Sequence, residues 1–124
     1  MKTSPCQRSL KKLRAEGWFC AITERWNPFA KIRQDLFGFI DVLCIRGNEI
    51  LAVQTTSGPN VSARLEKIYS LPQAGYWLNT GAKLQVHGWR KIGERSERKL
   101  WEVRIVDVTV ADMVSRLNSE TSNE

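Results

Sequence analysis

Asp41 and Gln54 stand thirteen positions apart, each on a short apolar run of strand type. The first run is Phe39-Ile40-Asp41-Val42-Leu43-Cys44-Ile45-Arg46. The second is Glu49-Ile50-Leu51-Ala52-Val53-Gln54-Thr55-Thr56, and Gly47-Asn48 lies between them. Two β-rich runs about a Gly-Asn pair are a hairpin signal, because those residues accept the backbone angles of a tight turn. Antiparallel pairing about that turn sets the start of the first run beside the end of the second. Asp41 and Gln54 then become neighbours at one end of a sheet. A carboxylate and an amide carbonyl at the rim of a buried hairpin offer oxygen ligands to a hard divalent cation such as Mg2+ or Mn2+.

The elements that would hold this pair can be read from capping and punctuation. Residues 5–16 are expected to be a helix: Ser4 caps it, Pro5 suits its first turn, Leu10 and Leu13 mark an apolar side, and Gly17 ends it. Residues 18–24 read as a strand. Residues 25–37 read as a long connection rich in positive charge and aromatic rings, and long connections in compact domains are commonly functional. After the hairpin, Gly58-Pro59 punctuates a turn. A helix over 61–69 carries Val61, Leu65 and Ile68 on one face, and a second helical piece runs from Pro72 through Leu78 to Gly81. Residues 83–89 and 100–108 read as strands with a polar hairpin tip over 91–99. A short helix over 110–117 and a disordered tail over 118–124 close the chain. The order α-β-β-β-α-α-β-β-α implies a single α/β domain over 1–117, with the apolar hairpin buried in a sandwich.

At 124 residues, with 42% hydrophobic and 26% charged, the chain fits one globular domain with one sizeable core. No apolar stretch approaches the roughly 20 residues that span a bilayer. The polar start, Met1-Lys2-Thr3-Ser4-Pro5, lacks the apolar segment of a secretory signal, so a cytoplasmic location is expected. Three cysteines without a CxxC, and a single histidine, argue against zinc. Cys20 and Cys44 are expected as buried free thiols, His87 as a satisfied strand residue, and Trp18 and Trp101 as core. The net charge of +6 favours a polyanionic partner. Nothing resembles a phosphate-binding glycine loop, GxSxG or HExxH.

The Asp41–Gln54 hairpin within this order of elements resembles the PD-(D/E)XK nuclease superfamily, in particular the small branch of archaeal Holliday-junction resolvases and VRR-NUC domains. Ile40-Asp41-Val42-Leu43 is similar to the first half of the signature, and Val53-Gln54-Thr55-Thr56 occupies the place of the second. Gln7, Leu10, Leu13 and Gly17 are similar to the opening of VRR-NUC domains. The resemblance implies a restriction-endonuclease-like three-layer sandwich. Its mixed central sheet would have core order α-β-β-β-α-β, with an extra C-terminal strand and short helix. It also implies a metal held by Asp41, Gln54 and the carbonyl of Thr55. Three departures stand out: Gln54 replaces the usual acid, Thr56 stands where a lysine belongs, and the first helix lacks an acid because Glu16 comes too late.

Asp35 or Glu24 would supply the missing negative charge, with Asp35 favoured because it lies on the approach to the same strand. Lys67, Arg33 or Lys31 would supply the missing positive one. The implied catalytic set is Asp41, Gln54, Thr56 and Lys67, and the implied metal set is Asp41, Gln54, Thr55 and Asp35. Arg8, Lys11, Lys12, Arg25, Lys31 and Arg33 would hold phosphates, while Trp26 stacks on an unpaired base. The resulting expectation is a metal-dependent endonuclease acting on DNA, including branched or flap DNA, and by analogy with the resolvases a homodimer. The alternative is a nucleic-acid-binding module on the same fold with decayed catalysis, motivated by Thr56. A third class, a partner-binding protein without nucleic-acid affinity, would scatter the basic residues over the surface.

Overall fold

The computed structural model describes residues 3–93 and 100–122. Helix α1 spans Pro5–Ala15, and Ser4 Oγ accepts from the Gln7 amide at 3.2 Å, capping it as its sequence requires. Strand β1 (Phe19–Ile22) follows. Strands β2 (Arg25–Asn27) and β3 (Ile32–Gln34) then form a two-stranded hairpin, where a plain connection was expected. Its tip is built locally: Asn27 Oδ1 accepts from the amides of Phe29 and Ala30, and Lys31 adopts a left-handed φ of 56°. These are turn signals with no apolar alternation, which is why the strands are inconspicuous in sequence.

Strands β4 (Val42–Arg46) and β5 (Glu49–Ser57) form the expected antiparallel hairpin, with Val42 opposite Val53. A short 3-10 turn leads into α2 (Val61–Tyr69) and α3 (Pro72–Asn79). Strand β6 (Lys83–Ile92) pairs parallel to β5, and β7 (Leu100–Val108) pairs antiparallel to β6. The five-stranded mixed sheet is ordered β1-β4-β5-β6-β7. Helix α4 runs Val110–Ser122, so the segment expected to be a disordered tail is helical as far as Ser122. Most of the expected polar tip over 91–99 lies outside the described residues. The part within them extends β6 to Ile92.

Helices cover both faces of the sheet. Leu10 and Leu13 of α1, with Trp18, enclose Cys20, Val42, Cys44, Leu51 and Val53 on one face. Val61, Ile68, Ala74 and Leu78 of α2 and α3 enclose Phe39, Ile40, Ala52, Leu84 and Val86 on the other. Strand β5 is therefore buried from Leu51 through Thr56, as its near-continuous apolar run demands. Cys20 and Cys44 are buried free thiols. Trp18 is core, but Trp101 lies on the edge strand β7 and stays 40% exposed. It takes the Arg8 guanidinium at 3.7 Å from its ring, a contact that satisfies an aromatic face at the rim.

Gly88 is a strand position where a side chain has no room. A Cβ there would stand 2.2 Å from Val61 Cγ2 and 3.3 Å from Gly58 Cα. Its absence lets the start of α2 close down on β6. His87, beside it, is fully buried in a directional chain: Trp89 Nε1 donates to Ser9 Oγ at 2.8 Å, and Ser9 Oγ meets His87 Nδ1 at 2.9 Å. His87 Nε2 meets Gln85 Oε1 at 3.0 Å, and Gln85 Nε2 donates to Asp107 Oδ1 at 2.9 Å. The carboxylate only accepts, so Gln85 must accept from His87, and the imidazole carries its proton on Nε2. His87 is thus the satisfied strand residue expected, tying α1 to β6. Among the described residues no helix is long and apolar enough to cross a membrane.

Candidate metal centre

Strand register brings Asp41 and Gln54 together. Asp41 immediately precedes β4, its amide donates to Val53 O at 2.9 Å, and the next residue of β5 is Gln54. Fully buried Phe39 and Ile40 anchor the backbone just before it, each contributing about 2 kcal/mol of apolar burial. Asp35 arrives by a tight turn. Leu36 and Ile40 form an antiparallel bridge with reciprocal 3.0 Å hydrogen bonds, so Asp35 and Asp41, the next residues outward from the turn, come side by side. The reversal requires left-handed backbone at Phe37 (φ 56°) and Gly38 (φ 86°), of which glycine adopts it without cost. Glu24 follows β1, whose continuation is tied to the same point: the Thr23 amide donates to Asp41 O at 2.8 Å and its hydroxyl to Ile40 O at 2.7 Å.

Carboxylate oxygens of Glu24, Asp35 and Asp41 consequently lie within 4.8 Å of one another, a group that could hold a metal ion. The hydrogen bonds within the cluster are specific. Asp41 Oδ2 accepts from the Thr55 amide at 2.7 Å, from Thr55 Oγ1 at 3.1 Å and from Gln54 Nε2 at 3.0 Å. Gln54 Nε2 also donates to Asp35 Oδ2 at 3.1 Å. The ionised Asp35 only accepts, so the amide nitrogen must face it. Gln54 Oε1 is left buried without a hydrogen-bond partner. An orphaned buried oxygen is costly and points to a group that would normally satisfy it.

Burial pushes the Asp41 carboxyl up to about 7; in its protonated form it donates to neighbouring Asp35, which adds to the effect, and the Thr55 amide opposes it. Asp35 pays for its own desolvation. Even so, its hydrogen bonds to Asp41 and Gln54 and the charges of Lys67 and Arg64 hold it below the usual carboxylate range. Two carboxyls in one site with values pushed apart share a proton, as like charges at contact must unless a cation joins them.

The cluster lies in a cavity of about 650 Å³ with a positive rim. Arg33 from β3 and Arg64 and Lys67 from α2 line it, with the N-terminal turn of α1 (Ser4 to Gln7) opposite. Lys67 Nζ lies 3.8 Å from Asp35 Oδ2, and Arg33 Nη1 3.2 Å from Glu24 Oε1. Lys67 therefore faces the cluster, and Arg64, one helical turn earlier, shares its face. Arg64 was absent from the expected set, although its spacing from Lys67 could have revealed it. Thr56 lines the cavity and is buried. Burial pushes the thiol of Cys6, on the same wall, up to about 11, the Asp41 charge assisting, which disfavours the thiolate.

The remaining expected residues divide. Arg25, Trp26 and Lys31 lie on the β2–β3 hairpin, whose two ends are Glu24 and Asp35. Arg8, Lys11 and Lys12 are not among the residues lining the cavity. Arg8 is half-buried on Trp101, and Lys12 pairs with Glu16 on its own helix. No family model matches this sequence, and neither a curated protein nor a solved structure does.

Proposed function

We propose that this protein is a metal-dependent nuclease acting on phosphodiester bonds of DNA. The observation that carries the proposal is the all-oxygen cluster of Glu24, Asp35 and Asp41 at the base of a cavity rimmed by Arg33, Arg64 and Lys67. Three carboxylates with an amide oxygen suit a hard cation, Mg2+ or Mn2+, and suit thiophilic metals poorly. The orphaned Gln54 oxygen fits the same donor set. A half-turn of that amide exchanges its nitrogen for Oε1, adding a fourth oxygen ligand where the carboxylates meet. Once bound, such a cation polarises a phosphate oxygen and acidifies water.

The chain's own groups supply the rest. The Thr55 amide and hydroxyl fix the rotamer of Asp41, and Lys67 and Arg64 place positive charge beside the acids, where a phosphate would approach. Lys67 takes over the charge that Thr56 cannot provide. The test is isothermal titration with Mn2+ together with nicking of supercoiled and flap DNA. Wild type should bind one ion and nick in a manner abolished by EDTA, and Asp41→Ala should lose both. Unchanged cleavage by that variant would end the proposal. Thr56 supports a second reading, a binding module with decayed catalysis. It would show DNA retention without turnover in any divalent metal.

A further inference from the structure

The β2–β3 hairpin grows directly out of the acidic cluster. Glu24 immediately precedes β2 and Asp35 immediately follows β3, so two of the three carboxylates are the feet of this element. Trp26 pairs across the ladder with Arg33, which places both side chains on one face. Arg33 lines the cavity and pairs with Glu24, so Trp26, which is not itself a lining residue, stands beside the cavity on the same face of the hairpin. Trp26 nevertheless remains 55% exposed, Ile32 is 50% exposed, and Phe29 at the tip is 97% exposed. An aromatic ring held bare at an Asn-braced tip has no role in the core, and neighbouring Arg25, Lys31 and Arg33 make the element positive.

We infer that this hairpin is a base-separating finger. Phe29 wedges between bases, Trp26 stacks the base so freed, and the basic residues follow the backbone. The substrate class of the site is then nucleic acid with an unpaired base close to the scissile phosphate. The inference rests on the nuclease reading above and narrows its substrate. At a strand rise of ~3.3 Å per residue, Trp26 stands about 7 Å along the chain from Glu24, some two nucleotide steps from a phosphate held there. Stacking on a single aromatic ring tolerates any base, and apolar wedges at unstacked steps are a known device for opening a duplex. The positive charge selects a polyanion over an apolar protein partner for the same rings.

Binding is measured with fluorescent DNA in Ca2+, using the full chain, on a 5′-flap oligonucleotide carrying 2-aminopurine at the branch and on a blunt duplex of matching sequence. Wild type should prefer the flap and raise the 2-aminopurine signal. Trp26→Ala should weaken flap binding roughly tenfold, with a much smaller loss on duplex, and Trp26→Tyr should restore it. Phe29→Ala should abolish the 2-aminopurine rise. Thermal melts of both variants should match wild type, because the replaced rings are exposed. Equal losses on flap and duplex, or none, would overturn the finger even if cleavage persists. Retained flap preference without cleavage in Mg2+ or Mn2+ would sink the nuclease reading and leave the finger standing. No DNA binding at low salt would sink both.

Discussion

Gln54 shows how one atom changes the chemistry of a site. An acid at this position would add a fourth carboxyl to Glu24, Asp35 and Asp41, whereas the amide bridges two of them through Nε2 and leaves Oε1 unpaired. Gln54→Glu should therefore tighten Mn2+ by about tenfold or more while lowering the melting temperature measured in EDTA, because without metal another buried acid has no cation to balance it. A parallel fall in metal affinity would mean that the amide orients the carboxylates and does not approach the ion. His87 yields a second prediction at this scale. Burial pushes its imidazole down to about 4 from 6.5, the charge of Lys12 contributing. A folded value below the unfolded one means that the neutral network stabilises fully above about pH 6.5, and that this stability is lost as pH falls towards 4. The loss amounts to about 3 kcal/mol across that window. Urea unfolding of wild type and His87→Gln between pH 7.5 and 4.5 should show wild type more stable at the top and the difference shrinking on acidification. A constant difference would place the imidazole outside the titrating set.

Helix α2 carries two of the three cations named on the cavity rim. Arg64 and Lys67 line the cavity from this helix, whose first residue, Val61, seats against Gly88 on β6. Gly88→Ala would press a methyl into Val61, and such overpacking typically costs 1–3 kcal/mol. The expected result is a lower melting temperature together with weaker DNA binding, since displacing α2 moves both cations. Gly88→Ala combined with Val61→Ala should recover much of the binding. Failure of that pair to recover would show that the strand, not the helix, had yielded. The β2–β3 hairpin illustrates the opposite case, an element held by its own turn chemistry at Asn27 and Lys31 and by the Glu24–Arg33 pair.

The whole molecule sets its positive residues in separate places. Arg33, Arg64 and Lys67 ring the cavity, Arg25 and Lys31 extend along the hairpin, and Arg8 is engaged by Trp101. If phosphates are held chiefly at the cavity and hairpin, few counterions are released. The slope of log K against log salt should then be about −3 to −5, each lost phosphate contact reducing it by roughly 0.9 on duplex DNA. Arg64→Ala should reduce the slope by about one, and Lys11→Ala should leave it unchanged. Equal effects of the two substitutions would extend the interface over α1. The net charge of +6 favours a polyanion without saying where one would dock.

The sequence by itself determined the α1 cap, the Asp41–Gln54 hairpin, the succession of the main-sheet strands along the chain, the burial of Cys20 and Cys44, and the strand placement of His87. Each follows from local turn chemistry or apolar patterning, which act between residues near in the chain. Sequence also brought Asp35 and Glu24 forward as candidate acids without showing that both reach Asp41. That was decided by tertiary structure, through the Leu36–Ile40 bridge and the Thr23 contacts. The inward direction of Lys67 and Arg64, the exposure of Trp101 and the hairpin within residues 25–37 were likewise settled only in three dimensions. Those features depend on which distant backbone closes over a side chain, and charge and aromaticity alone carry no record of that.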